Sequence, residues 1–115
     1  MIVVVTGGRD YADRDALFDA LYEIHDLGTP ITLIRNGGMT GADALSSRWA
    51  YEAGVDTECI GALWGTHGRS AGPKRNAAML ARPTNLVLAA PGGRGTASAV
   101  GLARGMGLTV REVPW

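Results

Sequence analysis

Apolar residues in this chain fall into short blocks, separated by stretches of helical periodicity. Ile2 to Thr6 is a continuous β-branched run, the pattern of a strand buried on both faces of a parallel sheet. Asp13 is placed to cap a helix that runs to about Leu27, with Leu17, Leu21 and Ile24 on one stripe and Asp15, Asp19, Glu23 and Asp26 facing solvent. Gly28 and Pro30 stop it. A second strand is expected over residues 31–35, and a second helix from Thr40 to about Ala53, with Ala42, Leu45, Trp49 and Ala53 inward and Gly54 as its stop. Residues 55–60 read as a third strand and residues 61–72 as a loop with little apolar periodicity. Pro73 suits the first turn of a helix ending near Ala81. Residues 85–90 form a fourth strand, 95–106 a fourth helix and 108–113 a fifth strand.

Five strands alternating with four helices give β-α-β units, hence a parallel sheet with helices on both faces. The expectation is an α/β fold: one three-layer, Rossmann-like sandwich over residues 1–115, its five strands in the order 3-2-1-4-5. Composition agrees. Hydrophobic content is 46% and charged content 19%, below the ~25% of an average soluble domain, which excludes a disordered chain. Cys59, the single cysteine, rules out an internal disulfide framework and fits a reducing cytosol. The longest charge-free run is 11 residues, 83–93, well short of the ~18 a membrane span requires. No signal-peptide pattern precedes the first strand, so a cytoplasmic protein is expected.

Glycine is the anomaly, with 17 residues in 115, about twice the usual ~7%. Three clusters directly follow apolar strands: Gly7 with Gly8, Gly37 and Gly38 with Gly41, and Gly92 and Gly93 with Gly95. Parallel strands end on one edge, where open α/β sheets bind ligands. Glycine there gives tight turns and exposes main-chain N–H groups, while the following helix N-termini favour anions. One such cluster is an ordinary turn; three at corresponding positions describe a binding edge. Standard nucleotide motifs are absent. Residues 6–11 are not G-x-G-x-x-G, strand two ends in Arg35-Asn36 rather than a ribose-reading acid, and no Gly-Lys dipeptide forms a P-loop. A conventional dehydrogenase or NTPase is excluded.

The net charge is zero, which argues against a nonspecific nucleic-acid coat or a binder of acidic membranes. The charge is unevenly placed. Strand-end segments carry six bases (Arg9, Arg35, Arg69, Lys74, Arg75 and Arg94) against two acids, Asp10 and Asp43. Lys74 and Arg75 fall in a first helical turn and Arg94 just before one, where each opposes the helix dipole by roughly 0.3–1 kcal/mol. An anion offsets this, unless the side chains reach acids or solvent. Thr40 and Asp43 have capping-box spacing, which capping alone explains; the alternative is that Asp43 binds ribose hydroxyls. Thr96 is a helix cap or a phosphate donor. Trp64 stacks on a base or anchors its loop, and His67 is a minority candidate for acid–base work. His25 is expected in solvent and Trp49 in the core. Ala97, Gly101 and Gly105, spaced by four, are expected to pack closely on a neighbouring element or another subunit. Two histidines and one cysteine far apart give no metal site, and no cofactor is expected.

Four blocks in order carry a family resemblance: Thr-Gly-Gly-Arg-Asp-Tyr (6–11), Asn-Gly-Gly-Met-Thr-Gly-Ala-Asp (36–43), Trp-Gly-Thr-His-Gly-Arg-Ser-Ala-Gly-Pro-Lys-Arg-Asn (64–76) and Pro-Gly-Gly-Arg-Gly-Thr (91–96). Together they resemble the YspA/YpsA-related branch of the SLOG superfamily. That resemblance implies a Rossmann-like domain that senses or processes nucleotide-derived ligands, in a family with many small bacterial and phage members. More distantly, residues 91–96, and Arg75 with Met79, are similar to the Lonely-guy phosphoribohydrolases, whose motif continues to a catalytic Glu. Here that position is Ala99.

The expected ligand-binding residues are Gly7, Gly8, Arg9, Gly37, Gly38, Asp43, Trp64, Arg75, Asn76, Gly92, Gly93, Arg94, Gly95 and Thr96, with Tyr11 a second candidate to stack on the base. Asp10, Asp43 and Arg75 are the catalytic candidates. Three functions compete: a sensor or sequestering domain for a nucleoside monophosphate, ADP-ribose or a cyclic nucleotide; an N-glycosidase releasing base from a nucleoside 5′-monophosphate; and a single-stranded DNA module, disfavoured by neutral charge and a single lysine. A homodimer or higher homo-oligomer is expected, with no membrane partner.

Overall fold

A computed structural model describes residues 1–114, with all their side chains except those of Trp64 and Thr66. The strands are β1 (Ile2–Thr6), β2 (Leu33–Asn36), β3 (Asp56–Cys59), β4 (Leu86–Ala89) and β5 (Val110–Glu112). All pair in parallel, in the order β3-β2-β1-β4-β5. The helices are α1 (Arg14–Tyr22), α2 (Ala42–Ala53), the short α3 (Trp64–His67), α4 (Ala71–Ala81) and α5 (Arg94–Gly105). The fold class and strand order are those the pattern predicts.

The apolar run in β1 supplies both halves of the core because successive side chains point to opposite faces. Val3 and Val5 join Ile34, Leu86 and Leu88 against Leu17, Phe18 and Leu21 of α1 and Trp49 of α2. Val4 and Val87 face the other way, onto Met79 and Leu80 of α4 and Ala103 of α5. Val3, Val4 and Val5 have no exposed surface, and burying each contributes about 1.5–3 kcal/mol relative to leaving it in water. Asp13 caps α1 as expected, its Oδ1 accepting from the Ala16 N–H at 3.1 Å. Trp49 is core, with no exposed surface.

Several boundaries differ from the expectation. The first helix ends at Tyr22 and continues as one π-helical turn, Glu23–Leu27. In this wider turn His25 does not face solvent: its Nδ1 accepts from the Ile31 N–H at 2.9 Å, and its ring stands edge-on to Trp49 with centroids 5.5 Å apart. The imidazole thus replaces a strand partner at the entry to β2. Residues 61–72 are not an open loop but carry α3, a 3-10 turn (Gly68–Ser70) and the first two residues of α4. Ala97, Gly101 and Gly105 pack on no element of this chain. They lie on the exposed side of α5, whose buried residues are Ala99 and Ala103.

Among the described residues, no helix is long and apolar enough to cross a membrane.

Candidate functional site

The C-terminal ends of β1, β2 and β4 open onto one cavity of about 1100 Å³. Its floor is the end of β1 and its walls are residues 7–13 and 91–96 with Gly37, Met39 and Asp43, closed on one side by Arg69, Gly72, Pro73, Arg75, Asn76 and Met79 from the α4 region. The three strand-end loops are bonded to one another. The Gly8 N–H donates to Pro91 O at 2.9 Å, the Ala42 N–H to Gly8 O at 3.2 Å, and the Thr40 hydroxyl to Arg9 O at 3.2 Å.

Gly41 makes this lacing possible. Its φ of 75° is left-handed, and a Cβ there would run into Gly8 O and the Arg9 carbonyl. Gly41 is also the N-cap of α2, so the expected cap, Thr40, is displaced to the neighbouring loop. Gly37 serves a second close approach: a Cβ on it would lie 2.7 Å from Arg75 Cζ and 3.0 Å from Asp43 Oδ2. Part of the glycine excess therefore answers to the chain's own packing. The Gly8 N–H, expected to hold phosphate, is already taken by Pro91 O. Gly38, another expected contact, does not line the cavity; its N–H donates to Asn36 Oδ1 at 2.9 Å, and its α-carbon faces Cys59. Gly93 and Gly95, by contrast, have open space where a side chain would be. They begin α5, whose N-terminus carries no side-chain cap, leaving its first N–H groups toward the cavity.

Asp43 does not close a capping box. Its Oδ2 accepts from the Gly37 N–H at 3.1 Å and the Met39 N–H at 3.2 Å, and the residue is only 7% exposed. Burial pushes its carboxyl above the ordinary carboxylate range, against the lowering pull of the Met39 N–H, the Arg75 guanidinium and the Gly37 N–H. Arg75 is held alongside: its Nε donates to Asn76 Oδ1 at 2.9 Å and its NH1 to Gly37 O at 3.1 Å. Asn76 lines the cavity, yet both ends of its amide are engaged by protein, since its Nδ2 donates to Gly95 O at 3.3 Å. It ties Arg75 on α4 to the start of α5.

Of the six expected edge cations, Arg9, Arg69, Arg75 and Arg94 line the cavity. Arg35 does not. Its guanidinium is buried (3% exposed), ion-paired with Glu58 at 2.6 Å and donating to Met79 O, Pro83 O and Thr84 Oγ1 at 3.0–3.2 Å. Arg35 thus closes the last turn of α4, whose free carbonyls attract a cation. Lys74 also lies away, within 3.3 Å of His67 Nδ1, and neither of these lines the cavity. Three carboxylates do: exposed Asp10, Asp13 and buried Asp43. The surplus of positive charge around the cavity is therefore smaller than the sequence count.

Tyr11 lines the cavity with its hydroxyl buried and without a partner; burial, with Asp13 second, pushes its phenol up. The stacking role expected of Trp64 falls on a side chain outside the described residues. Ala99 is buried (1% exposed) and does not line the cavity, so α5 brings no carboxylate to it. Among the described residues, no group of three His, Cys, Asp or Glu could hold a metal ion. Sequence reasoning missed Asp13, Met39, Gly72 and Pro73 in the lining, and also Asn36 beneath it. The signal for Asn36 was the polar pair Arg35-Asn36 ending a strand that begins Leu33-Ile34.

A parallel sheet in this order, with its crevice at the strand ends beside β1, is a Rossmann-like α/β domain. More narrowly, the chain belongs to the YspA, cpYpsA-related SLOG family, whose family model matches residues 1–67. It is similar to the Gene 61 protein of Mycobacterium phage D29, with 36% identity over 98 residues, covering 80% of this chain and 78% of the phage protein. No solved structure matches it.

Proposed function

We propose that the protein binds a small, phosphate-containing, nucleotide-derived ligand of the nucleoside monophosphate, ADP-ribose or cyclic nucleotide type, as a sensor or sequestering domain. One observation carries this reading: a single cavity joins the uncapped N-terminus of α5 to the buried Asp43 and the half-buried Arg75 beside it, with Arg9, Arg69 and Arg94 around them. The phosphate lies at Gly92, Gly93, Gly95 and Thr96, where helix N–H groups and arginines meet it. The ribose lies at Asp43, whose Oδ2 is occupied by two N–H groups and whose Oδ1 is left to accept from a hydroxyl. Tyr11 offers the apolar surface for the base. A second copy of the chain would pack on the exposed face of α5 at Ala97, Gly101 and Gly105.

Native mass spectrometry of freshly purified protein, followed by calorimetry with nucleoside monophosphates and ADP-ribose, tests the assignment. We expect binding that Arg75→Ala weakens by about tenfold or more, the size of one lost charged hydrogen-bonding partner. Silence across the panel would remove the reading.

Asp43 favours a second reading, hydrolysis of the N-glycosidic bond of a nucleoside 5′-monophosphate. A buried carboxyl held above its ordinary range is suited to acid–base work. Water would add to the anomeric carbon as the C–N bond breaks, and the base would leave protonated. Free base accumulating by chromatography, and lost in Asp43→Asn, supports this version; no free base excludes it.

A further inference from the structure

Beneath the cavity, Asn36 ends β2 with no exposed surface. Its Nδ2 lies within hydrogen-bonding distance of three acceptors: Asp43 O at 3.1 Å, Ser46 Oγ at 2.9 Å and Ser47 Oγ at 2.9 Å. Its Oδ1 accepts from the Gly38 N–H at 2.9 Å and the Cys59 thiol at 3.2 Å. Its own carbonyl accepts from the Ile60 N–H at 2.9 Å. The Ser46 hydroxyl donates to the same Asp43 carbonyl at 2.8 Å. One side chain therefore joins the end of β2, the turn that follows, the first turns of α2 and the end of β3. A buried amide with every group engaged is rigid, and what it bonds is held with it.

We propose that Asn36 is a positioning residue that fixes the Asp43 carboxylate at the ribose end of the cavity. It grips the Asp43 main chain from one side and the Gly38 N–H from the other. The Gly37 and Met39 N–H groups that hold Asp43 Oδ2 lie on either side of Gly38. The phosphate end is built differently, from residues 91–96 and Gly8, and Asn36 makes no bond there. Loss of Asn36 therefore weakens recognition of the ribose and spares that of phosphate. The ribose assignment itself rests on the function proposed above.

The test compares wild type, Asn36→Ala and the milder Ser47→Ala by amide hydrogen exchange without ligand, then by calorimetry with adenosine 5′-monophosphate and with inorganic phosphate. In Asn36→Ala we expect the Gly37, Gly38 and Met39 amides to lose protection by about tenfold or more relative to the Val3, Val4 and Val5 amides. Affinity for the nucleotide falls by about tenfold or more while that for phosphate stays within about twofold. Ser47→Ala, which keeps the amide, moves the same signals less; it also decides the matter should Asn36→Ala fail to fold. A uniform loss of protection over β1 and residues 37–39 makes Asn36 a general stabiliser and overturns the proposal. So does a nucleotide affinity that falls only in step with phosphate. Should wild type bind phosphate but not the nucleotide, the ribose assignment falls, and the exchange comparison alone still decides whether Asn36 holds the Asp43 loop.

Discussion

Asp43 is the residue at which stability and the proposed function pull in opposite directions. Its carboxyl is more basic in the folded chain than the 3.8 of a free carboxyl, so the folded state holds the proton more tightly than the unfolded one. That contribution is fully present below the unfolded value and is lost as pH rises through the folded one. Asp43→Asn keeps an oxygen for the Gly37 and Met39 N–H groups and removes the buried charge. Its stability relative to wild type, from urea unfolding at a series of pH values, should therefore improve as pH rises above about 4, the unfolded carboxyl's value. A flat or falling difference would contradict the shift. Nucleotide binding should drop in the same variant. Arg35 is the opposite case. It is a strut, so Arg35→Ala should cost about 2–3 kcal/mol of stability while leaving the affinity of the folded protein for nucleotide unchanged. Its partner Glu58 has a carboxyl held below the ordinary range, first by the hydrogen bond from Arg35. That stabilisation is present above the unfolded carboxylate value and fades as pH falls through the folded one, so Glu58→Gln should flatten the acid limb of a stability–pH curve. Sequence reasoning brought Arg9, Asp43, Arg75 and Arg94 to one place because each is tied to a strand end. It misplaced Arg35 because a strand-end position does not say which face of the sheet a side chain leaves from.

At the scale of elements, the glycines divide by what a methyl group would meet. Gly41 combines a left-handed φ with backbone oxygens on the site of any Cβ. Gly41→Ala should unlace residues 37–43 from the β1 loop, lowering both stability and binding. Gly101 lies in mid-helix with nothing near it, so Gly101→Ala should raise stability by about 0.5–1 kcal/mol and leave binding alone. Thermal unfolding of the two variants separates these outcomes. The central strands β1 and β4 were legible because apolar runs buried on both faces have few alternatives, and Asp13 marked the start of α1. The π-helical turn was not legible, since it keeps the apolar spacing of an α-helix and is fixed by the contacts of His25 with Ile31 and Trp49. Nor was the start of α2, where the Thr40 hydroxyl bonds across to Arg9 O instead of capping its own helix.

For the whole molecule, a net charge of zero conceals four arginines around one cavity and a balance of acids elsewhere, with Asp15, Asp19, Glu23 and Asp26 exposed along the first helical segment. Such a surface offers no continuous track for a polyanion. Oligo-dT should bind weakly, and salt should remove that binding well before it removes binding of a mononucleotide, as measured by fluorescence anisotropy at rising ionic strength. The order β3-β2-β1-β4-β5 is the one expected of a Rossmann-like alternation of strands and helices; the cavity followed from that order. How the loops hold one another did not follow, because those bonds run between residues far apart in the chain.

The bonds from Gly8 to Pro91, Ala42 to Gly8 and Thr40 to Arg9, closed through α4 by those from Arg75 to Gly37 and Asn76 to Gly95, make the rim of this cavity one cross-braced ring. Loops usually accept substitutions and insertions more freely than the sheet beneath them. Here the usual gradient of tolerance should invert locally. In a saturation mutagenesis scan, residues 7–8, 37 and 41 would be as intolerant as β1, while the exposed positions Asp15, Asp19 and Glu23 would accept most polar residues.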